Sequence, residues 1–209
     1  MRIVSVNVGL PRQIEWQGKA VCTSVFKEPV SGRVMLRTLN LDGDRQGDTV
    51  SHGGPKKAVF AYPLEHYRYW RDKLPGVDLP IGVFAENFTV EGMDESSVNI
   101  GDRFRFGSAL VLVAQPRMPC FRLSIRFNNP EIVTLYQQSD RPGFYMAVLE
   151  EGEVGAGDAI ELVHRDPHHV TVADVNRLYF KRIAEPHNLL ERALKLEALP
   201  EKLKNHIAG

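Results

Sequence analysis

RFRFGSALVLVAQ, residues 103–115, decides the fold class of this 209-residue chain. Its first four residues alternate between charged and aromatic side chains, which is the period of a half-buried β-strand. Gly107-Ser108 supplies a turn, and residues 109–114 then run apolar, as a strand buried on both faces does. The stretch therefore predicts a β-hairpin.

Short apolar segments of the same kind fill most of the first two thirds of the chain, separated by Gly, Pro and Asp. They predict further strands at residues 3–8, 20–26, 34–41, 97–106, 145–149 and 159–163. Many short strands with turn signals between them favour a closed or sandwiched β architecture. Helical patterns interrupt the strands at residues 63–74 and 130–138.

The pattern changes near residue 166. Thr171 is a candidate N-cap with Asp174 in the first turn, and three short helical segments follow. The predicted fold class is mainly β (α+β), with a β domain at residues 1–165 and a C-terminal three-helix element at residues 166–209. Because three short helices bury little surface alone, they must pack together, on the β domain or on a second copy, and a homodimer is predicted.

Composition and charge exclude several functional classes. The chain has 26 Lys and Arg against 26 Asp and Glu, so no bulk charge attracts nucleic acid or an anionic membrane. No stretch approaches the roughly 18 apolar residues of a membrane span. Cys22 and Cys120 have no C-x-x-C partner, which excludes a zinc site built on thiolates. The sequence predicts a cytoplasmic protein with neither nucleic acid nor membrane as its partner.

Cys120 is the strongest candidate for chemistry. It follows Pro119 just beyond a predicted strand, between Arg117 and Arg122, and nearby guanidinium groups favour a thiolate. The alternative is a buried structural cysteine, a description that Cys22 on its alternating segment fits. The sequence does not carry the residue order of a cysteine hydrolase. The residues alone therefore leave a functional and a structural thiol open.

Residues 41–57, LDGDRQGDTVSHGGPKK, hold a second group of candidates. They match a calcium loop only superficially, because position twelve counted from Asp42 is a glycine and not the required glutamate. His52-Gly53-Gly54 can direct backbone N–H groups toward an anion, with Lys56-Lys57 nearby, or can form a plain turn.

Two further segments place polar side chains beside predicted strands. Lys27 ends a strand-like segment, where it is either a ligand-binding residue or a solvated rim residue. Glu86 and Asn87 precede another strand, where carboxylate and amide either bind a polar ligand or close a turn.

The ordered combination of these motifs resembles the MOSC family, named after the C-terminal part of molybdenum cofactor sulfurase, and within it the stand-alone bacterial YiiM type. The matching stretches are LDGDRQGD (41–48), HGGPKKAVFAYPLEHYRYW (52–70), AENF (85–88), GDRFRFGSALVLVAQPRMPC (101–120) and the helical tail from about residue 167. One position departs from the family, which often has glycine where this chain has Ala85.

The resemblance implies a MOSC-type β-barrel with interspersed helices and the C-terminal three-helix element. It implies the molybdenum cofactor, molybdopterin, with Cys120 as catalytic residue and metal ligand, since a soft thiolate suits a metal already bound to dithiolene sulfur. It also implies reduction of N-hydroxylated small molecules, such as hydroxylaminopurines or amidoxime-like compounds. Such a reaction detoxifies N-hydroxylated bases, and its electrons come from a separate reductase because the chain has no flavin or iron–sulfur motif.

Further residues take roles in this interpretation. Lys27 is the second catalytic candidate, which holds or protonates the leaving oxygen. The cofactor-binding candidates are His52, Gly53, Gly54, Lys56, Arg117, Asn87, Asp44 and Glu86. Basic groups and glycine N–H groups would bind the cofactor's phosphate, while the two acidic residues would orient the loop or the pterin. Two alternatives stay open: a sulfur carrier with a persulfide on Cys120, and a cofactor-binding module without turnover.

Overall fold

The structure, a computed structural model, describes residues 1–47, 53–182 and 188–209. Within these ranges it has twelve strands: β1 (Arg2–Val8), β2 (Arg12–Trp16), β3 (Lys19–Thr23), β4 (Glu28–Pro29), β5 (Arg33–Leu36), β6 (Val59–Pro63), β7 (Phe88–Glu91), β8 (Arg103–Phe106), β9 (Ala109–Pro116), β10 (Phe144–Glu150), β11 (Gly152–Gly155) and β12 (Ile160–His164). The six α-helices of the same ranges are α1 (Glu65–Lys73), α2 (Phe121–Phe127), α3 (Ile132–Gln138), α4 (Val172–Tyr179), α5 (Leu189–Lys195) and α6 (Glu201–Ala208). The sequence predicts a mainly β (α+β) fold; the structure is a mixed α+β fold, which confirms the α+β class.

Eight of the strands form one sheet in the order β12-β8-β9-β10-β6-β7-β1-β4. Its neighbours pair antiparallel except β6 and β7, which run parallel. The predicted hairpin is β8 and β9, whose register runs from Arg103 opposite Leu112 to Phe106 opposite Ala109. Gly107 takes a φ of 54° in the connecting turn, a conformation that glycine adopts without strain.

The two ends of this strand order approach each other. The backbone N–H of Ile3 in β1 donates to the carbonyl oxygen of Asp158 at 2.9 Å, and that of Ile160 donates to Met1 O at 3.0 Å. These bonds join β1 to the segment that leads into β12. The predicted closed barrel stays a prediction.

The apolar interior divides into two clusters. The first, here called the sheet core, is mostly aliphatic and lies between the large sheet and helices α4 to α6, with members such as Val111, Phe104 and Val175. The second, here called the aromatic core, lies between the sheet and helices α1 to α3. Its members include Tyr62, Tyr67, Trp70, Phe84 and Tyr136.

The C-terminal helices cover the sheet core of their own chain. Thr171 caps α4 as predicted: its Oγ1 accepts from Asp174 N at 3.0 Å, and Asp174 Oδ2 accepts from Thr171 N at 3.0 Å. Leu189 of α5 and Leu203 of α6 are buried in the sheet core. The helices thus have a packing surface within one chain, and the domain boundary at 165/166 and the homodimer stay predictions. None of the described helices is long and apolar enough to cross a membrane.

Candidate active site

A pocket opens where β3 and β9 end and where the loops after β5 and before β7 meet them. It encloses about 660 Å³ of empty space, including the part open to solvent. The pocket is lined by Thr23, Ser24, Val25, Lys27, Asp44, Gln46, Gly47, Lys57, Phe60, Ala85, Asn87, Arg117, Met118, Cys120, Arg122 and Tyr145.

Cys120 lies in the pocket wall and is partly exposed. Strand β9 ends at Pro116 and helix α2 begins at Phe121, so the thiol lies in a short loop just past a strand end, as predicted. Helix α2 is not predicted from the sequence. Cys120 is its N-cap residue and has an extended backbone (φ −134°, ψ 172°). Cys22 does not line the pocket.

Arg117 brings a buried positive charge to the same wall. Arg117 is 5% exposed, and its guanidinium donates a hydrogen bond to the carbonyl oxygen of Phe84. The guanidinium carbon lies 4.7 Å from the centre of the Phe60 ring and 5.6 Å from that of Tyr136. Burial by itself lowers the pKa of Arg117, but facing phenol groups and the Cys120 thiol raise it, so the net pKa is raised. A charge fixed this way favours a thiolate at Cys120.

Lys27 and Asp44 form a buried ion pair in the lining of the pocket. Lys27 Nζ lies 2.5 Å from Asp44 Oδ1, and the side chains are only 9% and 2% exposed. Burial lowers the pKa of Lys27, and the charge and hydrogen bond of Asp44 oppose that effect. Asn87 also lines the pocket, and its Nδ2 donates to Asp44 Oδ2 at 2.9 Å.

Lys56 and Lys57, neighbours in a 3-10 turn at Pro55–Lys57, point in different directions. A turn of this kind rotates about 120° per residue, so successive side chains cannot share a face. Lys56 Nζ donates to the carbonyl oxygens of Glu197 and Leu199 at 2.8 and 3.4 Å, while Lys57 lines the pocket. Lys56, the lysine predicted to bind the cofactor, thus contacts the C-terminal segment, and Lys57 lines the pocket in its place.

The glycine motif before this turn is only partly described. His52 lies outside the described residues, so its predicted role stays a prediction. Gly54 has a φ of 102° and precedes the 3-10 turn, whose Lys57 N–H donates to Gly54 O at 2.9 Å. Gly53 and Gly54 do not line the pocket.

Glu86 lies behind the pocket wall, fully buried, although its neighbours Ala85 and Asn87 line the pocket. Its Oε1 accepts from the hydroxyl of Tyr67 and, at 3.1 and 2.9 Å, from Gly82 N and Thr89 Oγ1. Within the described residues its Oε2 has no hydrogen-bond partner. Burial raises the pKa of this carboxyl. In this position Glu86 anchors the segment that carries Asn87.

Phe60 and Tyr145 form the apolar side of the pocket, which was not predicted from the sequence. These residues are directly opposite each other on β6 and β10, with ring centres 5.3 Å apart. The pattern at residues 145–149 predicted β10, but β6 was not predicted as a strand, and nothing in the sequence gives the pairing of β6 with β10, on which this wall depends.

The lining has an excess of positive charge, with four cationic side chains (Lys27, Lys57, Arg117 and Arg122) and one carboxylate, Asp44. Such a pocket attracts an anionic ligand. In the part of the chain that the structure describes, no three or more His, Cys, Asp and Glu side chains cluster as a metal site would require. Cys120 gives the pocket one soft ligand that suits a metal.

Comparison with known proteins supplies the family. Residues 48–161 match the MOSC domain. The chain belongs to the MOSC domain family. It is 42% identical over 199 residues to the uncharacterized protein YflK of Bacillus subtilis (strain 168), an alignment that covers 95% of this chain and 89% of YflK.

Two further similarities define its place in the family. The crystal structure of YiiM from Geobacillus stearothermophilus superimposes with a TM-score of 0.81 and 30% identity, over 99% of this chain and 97% of that one. A protein of Gibberella moniliformis (strain M3125 / FGSC 7600) named "Reductase" is 31% identical over 197 residues, which are 90% of this chain but 35% of that protein. The chain is thus a MOSC protein of the YiiM type.

Proposed function

We propose that this chain binds molybdopterin in the pocket and reduces N-hydroxylated small molecules, with Cys120 as the molybdenum ligand. The observation that carries the proposal is the placement of Cys120, a partly exposed thiol in a pocket that also holds four cationic side chains. Membership of the MOSC family supports the cofactor, and the name of the fungal relative, "Reductase", supports the class of reaction.

The residues of the pocket fit this cofactor in three respects. The Cys120 thiolate is a soft ligand for a metal already bound to dithiolene sulfur. Lys57 and Arg122 offer positive charge to the cofactor's phosphate. Phe60 and Tyr145 give the pocket an apolar wall against which a planar pterin can pack. When bound, the cofactor supplies a metal that can take the oxygen of an N–OH group and deliver two electrons.

The chain's own residues would orient the groups of the site and protonate the leaving oxygen. Arg117 places a buried positive charge at the same wall, and such a charge favours the thiolate form of Cys120. Lys27 presents an ammonium group that can donate a hydrogen bond, and then a proton, to the oxygen that leaves the substrate nitrogen. Glu86, behind the wall, holds the segment that carries Asn87. Substrates of this site are hydroxylaminopurines or amidoxime-like compounds, so the reaction detoxifies N-hydroxylated bases.

Several partners and properties accompany this proposal. With two cysteines in the chain, no iron–sulfur cysteine set is available, and we propose that a separate reductase supplies the electrons. The reaction takes place in the cytoplasm, in a protein that forms a homodimer. The bonds of Ile3 and Ile160 that join β1 to the start of β12 support a closed, MOSC-type barrel.

The test is Cys120→Ser, with Cys22→Ser as the matched control. Serine has almost the volume of cysteine but a hard, poorly ionised hydroxyl, so it cannot replace a thiolate bond to molybdenum. We expect Cys120→Ser to stay folded, at a cost of about 1–2 kcal/mol or less, and to lose both molybdenum and N–OH reduction. Protein from a host that makes the cofactor is analysed for metal and assayed with a chemical electron donor.

The outcomes separate the alternatives. Cys22→Ser should keep both metal and activity. Full metal content in Cys120→Ser would show that the ligand assignment is wrong. Wild-type protein with cyanolysable sulfur and no molybdenum would identify a sulfur carrier with a Cys120 persulfide, and bound molybdenum without turnover would identify a cofactor-binding module.

A further inference from the structure

Both carboxylate oxygens of Asp44 are already occupied by donors of the protein itself. Oδ1 accepts from Gly9 N at 2.8 Å and from Lys27 Nζ at 2.5 Å, and Oδ2 accepts from Asn87 Nδ2 at 2.9 Å. The side chain of Asp44 is 2% exposed. A carboxylate bound in this way has little capacity left for a ligand, and its negative charge would repel the phosphate of a cofactor.

The groups that bind Asp44 are themselves fixed by strands. Asn87 Oδ1 accepts from Phe60 N at 3.1 Å, and its Nδ2 also donates to Asn7 O at 3.3 Å, so β1 and β6 hold the amide in place. Gly9 lies so close to the lysine that a β-carbon there would be 3.3 Å from Lys27 Cγ and 2.9 Å from Phe26 O. Only glycine allows this approach.

We infer that Asp44 is a positioning residue for Lys27: Asn87 and Gly9 hold the carboxylate, and the carboxylate holds the lysine ammonium charged and fixed at the pocket wall. Asp44 and Asn87 are predicted from the sequence to bind the cofactor, and here they have a different role in the same site. The positioning role rests on the proposed function only where Lys27 is said to act in turnover. The arrangement of the charges around Lys27 does not depend on any cofactor.

The charges around Lys27 determine the direction in which its pKa moves when Asp44 is replaced. Burial lowers the pKa of Lys27, Asp44 opposes this most strongly, Glu86 opposes it further, and Arg117 adds to the lowering. Asp44→Asn removes the nearest negative charge. Burial and Arg117 then disfavour the charged form of the lysine, and the smaller effect of Glu86 is left to favour it. The pKa of Lys27 should therefore fall in Asp44→Asn.

The experiment follows the charge of Lys27 directly. Protein labelled with ¹³C at the lysine ε-carbons is titrated by NMR, and the Lys27 signal is assigned by its loss in Lys27→Arg. We expect a lower pKa for Lys27 in Asp44→Asn than in the wild type, and no change in Asp42→Asn. Asp42 is a close match as a control because it lies two residues away but is exposed and paired with Arg37.

A second readout separates this inference from the proposed function. If Lys27 supplies a proton in turnover, Asp44→Asn should lower kcat for N–OH reduction by roughly 100-fold and move the basic limb of its pH profile downward. A fall in the pKa of Lys27 without any change in that profile would support the positioning role and contradict the role of Lys27 in turnover.

An unchanged Lys27 titration in folded Asp44→Asn would overturn the inference. If that variant does not fold, the wild type decides: a Lys27 ε-carbon with the chemical shift of an ammonium at neutral pH, with slowly exchanging ¹⁵N-bound protons, supports the inference. A neutral amine at that pH overturns it.

Discussion

The sheet core and the aromatic core are both buried, but different interactions hold their side chains in place. The sheet core packs chiefly aliphatic side chains between the sheet and α4 to α6, and close apolar packing makes most of its contacts. The aromatic core adds directional bonds: Trp70 Nε1 donates to the Tyr62 hydroxyl at 2.7 Å, and the Tyr136 hydroxyl donates to Pro142 O at 2.8 Å.

The difference matters because the aromatic core forms the support of the pocket. Arg117 lies over the ring of Tyr136 and donates to the carbonyl oxygen of Phe84. Tyr67 donates to Glu86, which anchors the segment before β7. The sheet core therefore stabilises the fold, whereas the aromatic core also sets the positions of charges. Substitutions of equal cost in the two cores should differ in their effect on the pocket.

The largest effect is expected from Trp70→Ala. Trp70 is fully buried, lies parallel to Tyr136 with ring centres 5.8 Å apart, and packs on Phe84 at 5.5 Å. Its removal should lower the free energy of unfolding by about 3–5 kcal/mol, measured by urea denaturation. Because both neighbours contact Arg117, we also expect a changed Lys27 ε-carbon shift and weaker retention of the cofactor.

Phe104→Ala is the matched substitution in the sheet core. Phe104 is 1% exposed on β8, none of whose residues lines the pocket. The loss of stability should again be about 3–5 kcal/mol, but the Lys27 signal should stay where it is in the wild type. If both variants disturb that signal equally, the distinction between the two cores is wrong.

An intermediate effect is expected from Glu86→Gln, and it depends on pH. Burial raises the pKa of Glu86 above its ordinary value of 4.5, so the folded state binds the carboxyl proton more tightly than the unfolded state does. The tighter binding of the proton stabilises the folded state fully when the pH is below the ordinary pKa of 4.5. This stabilisation is lost as the pH rises through the pKa of the folded state. Glutamine does not titrate, so Glu86→Gln does not show this pH-dependent loss of stability.

The stability of the wild type relative to Glu86→Gln should therefore decline as pH rises from about 4.5, by at most about 1.4 kcal/mol per pH unit. Urea unfolding of both proteins between acid and neutral pH gives the difference directly. Glu161→Gln, at an exposed position of β12, should show no such trend. A difference independent of pH would show that the Glu86 carboxyl titrates alike in the folded and unfolded states.

The parts of the fold that local pattern determines were predictable. The hairpin of β8 and β9 follows from alternation around Gly107-Ser108, and the start of α4 follows from Thr171 and Asp174. Each of these two features depends on a few neighbouring residues, so the local sequence is enough to predict it. The loop position of Cys120, just past β9, was predictable for the same reason.

The contacts that build the site are long-range, and local pattern does not contain them. Asp44 meets Gly9 and Asn87 across 35 and 43 residues, a proximity that only the order of the strands creates. Side-chain direction was equally hidden. Lys57 rather than Lys56 lines the pocket, because the direction of each side chain depends on where a 3-10 turn begins.

The smallest effect concerns Ala85, which lies where the two cores meet. Phe84 before it belongs to the aromatic core and Phe88 after it to the sheet core. Ala85 itself has a φ of 62°, in the left-handed region, where an L-residue costs roughly 1–2 kcal/mol. This conformation explains why glycine suits the position.

Ala85→Gly should relieve that strain, while the added freedom of glycine in the unfolded chain offsets about 0.4–1 kcal/mol of the gain. We expect a net stabilisation of about 0.5–1 kcal/mol in urea unfolding. Gln17→Gly is the control, because Gln17 has a φ of 51° in the exposed β2–β3 turn, remote from both cores, and should gain a similar amount. A loss of stability in Ala85→Gly alone would mean that the alanine methyl packs at the junction of the cores, where it contributes more than its backbone strain costs.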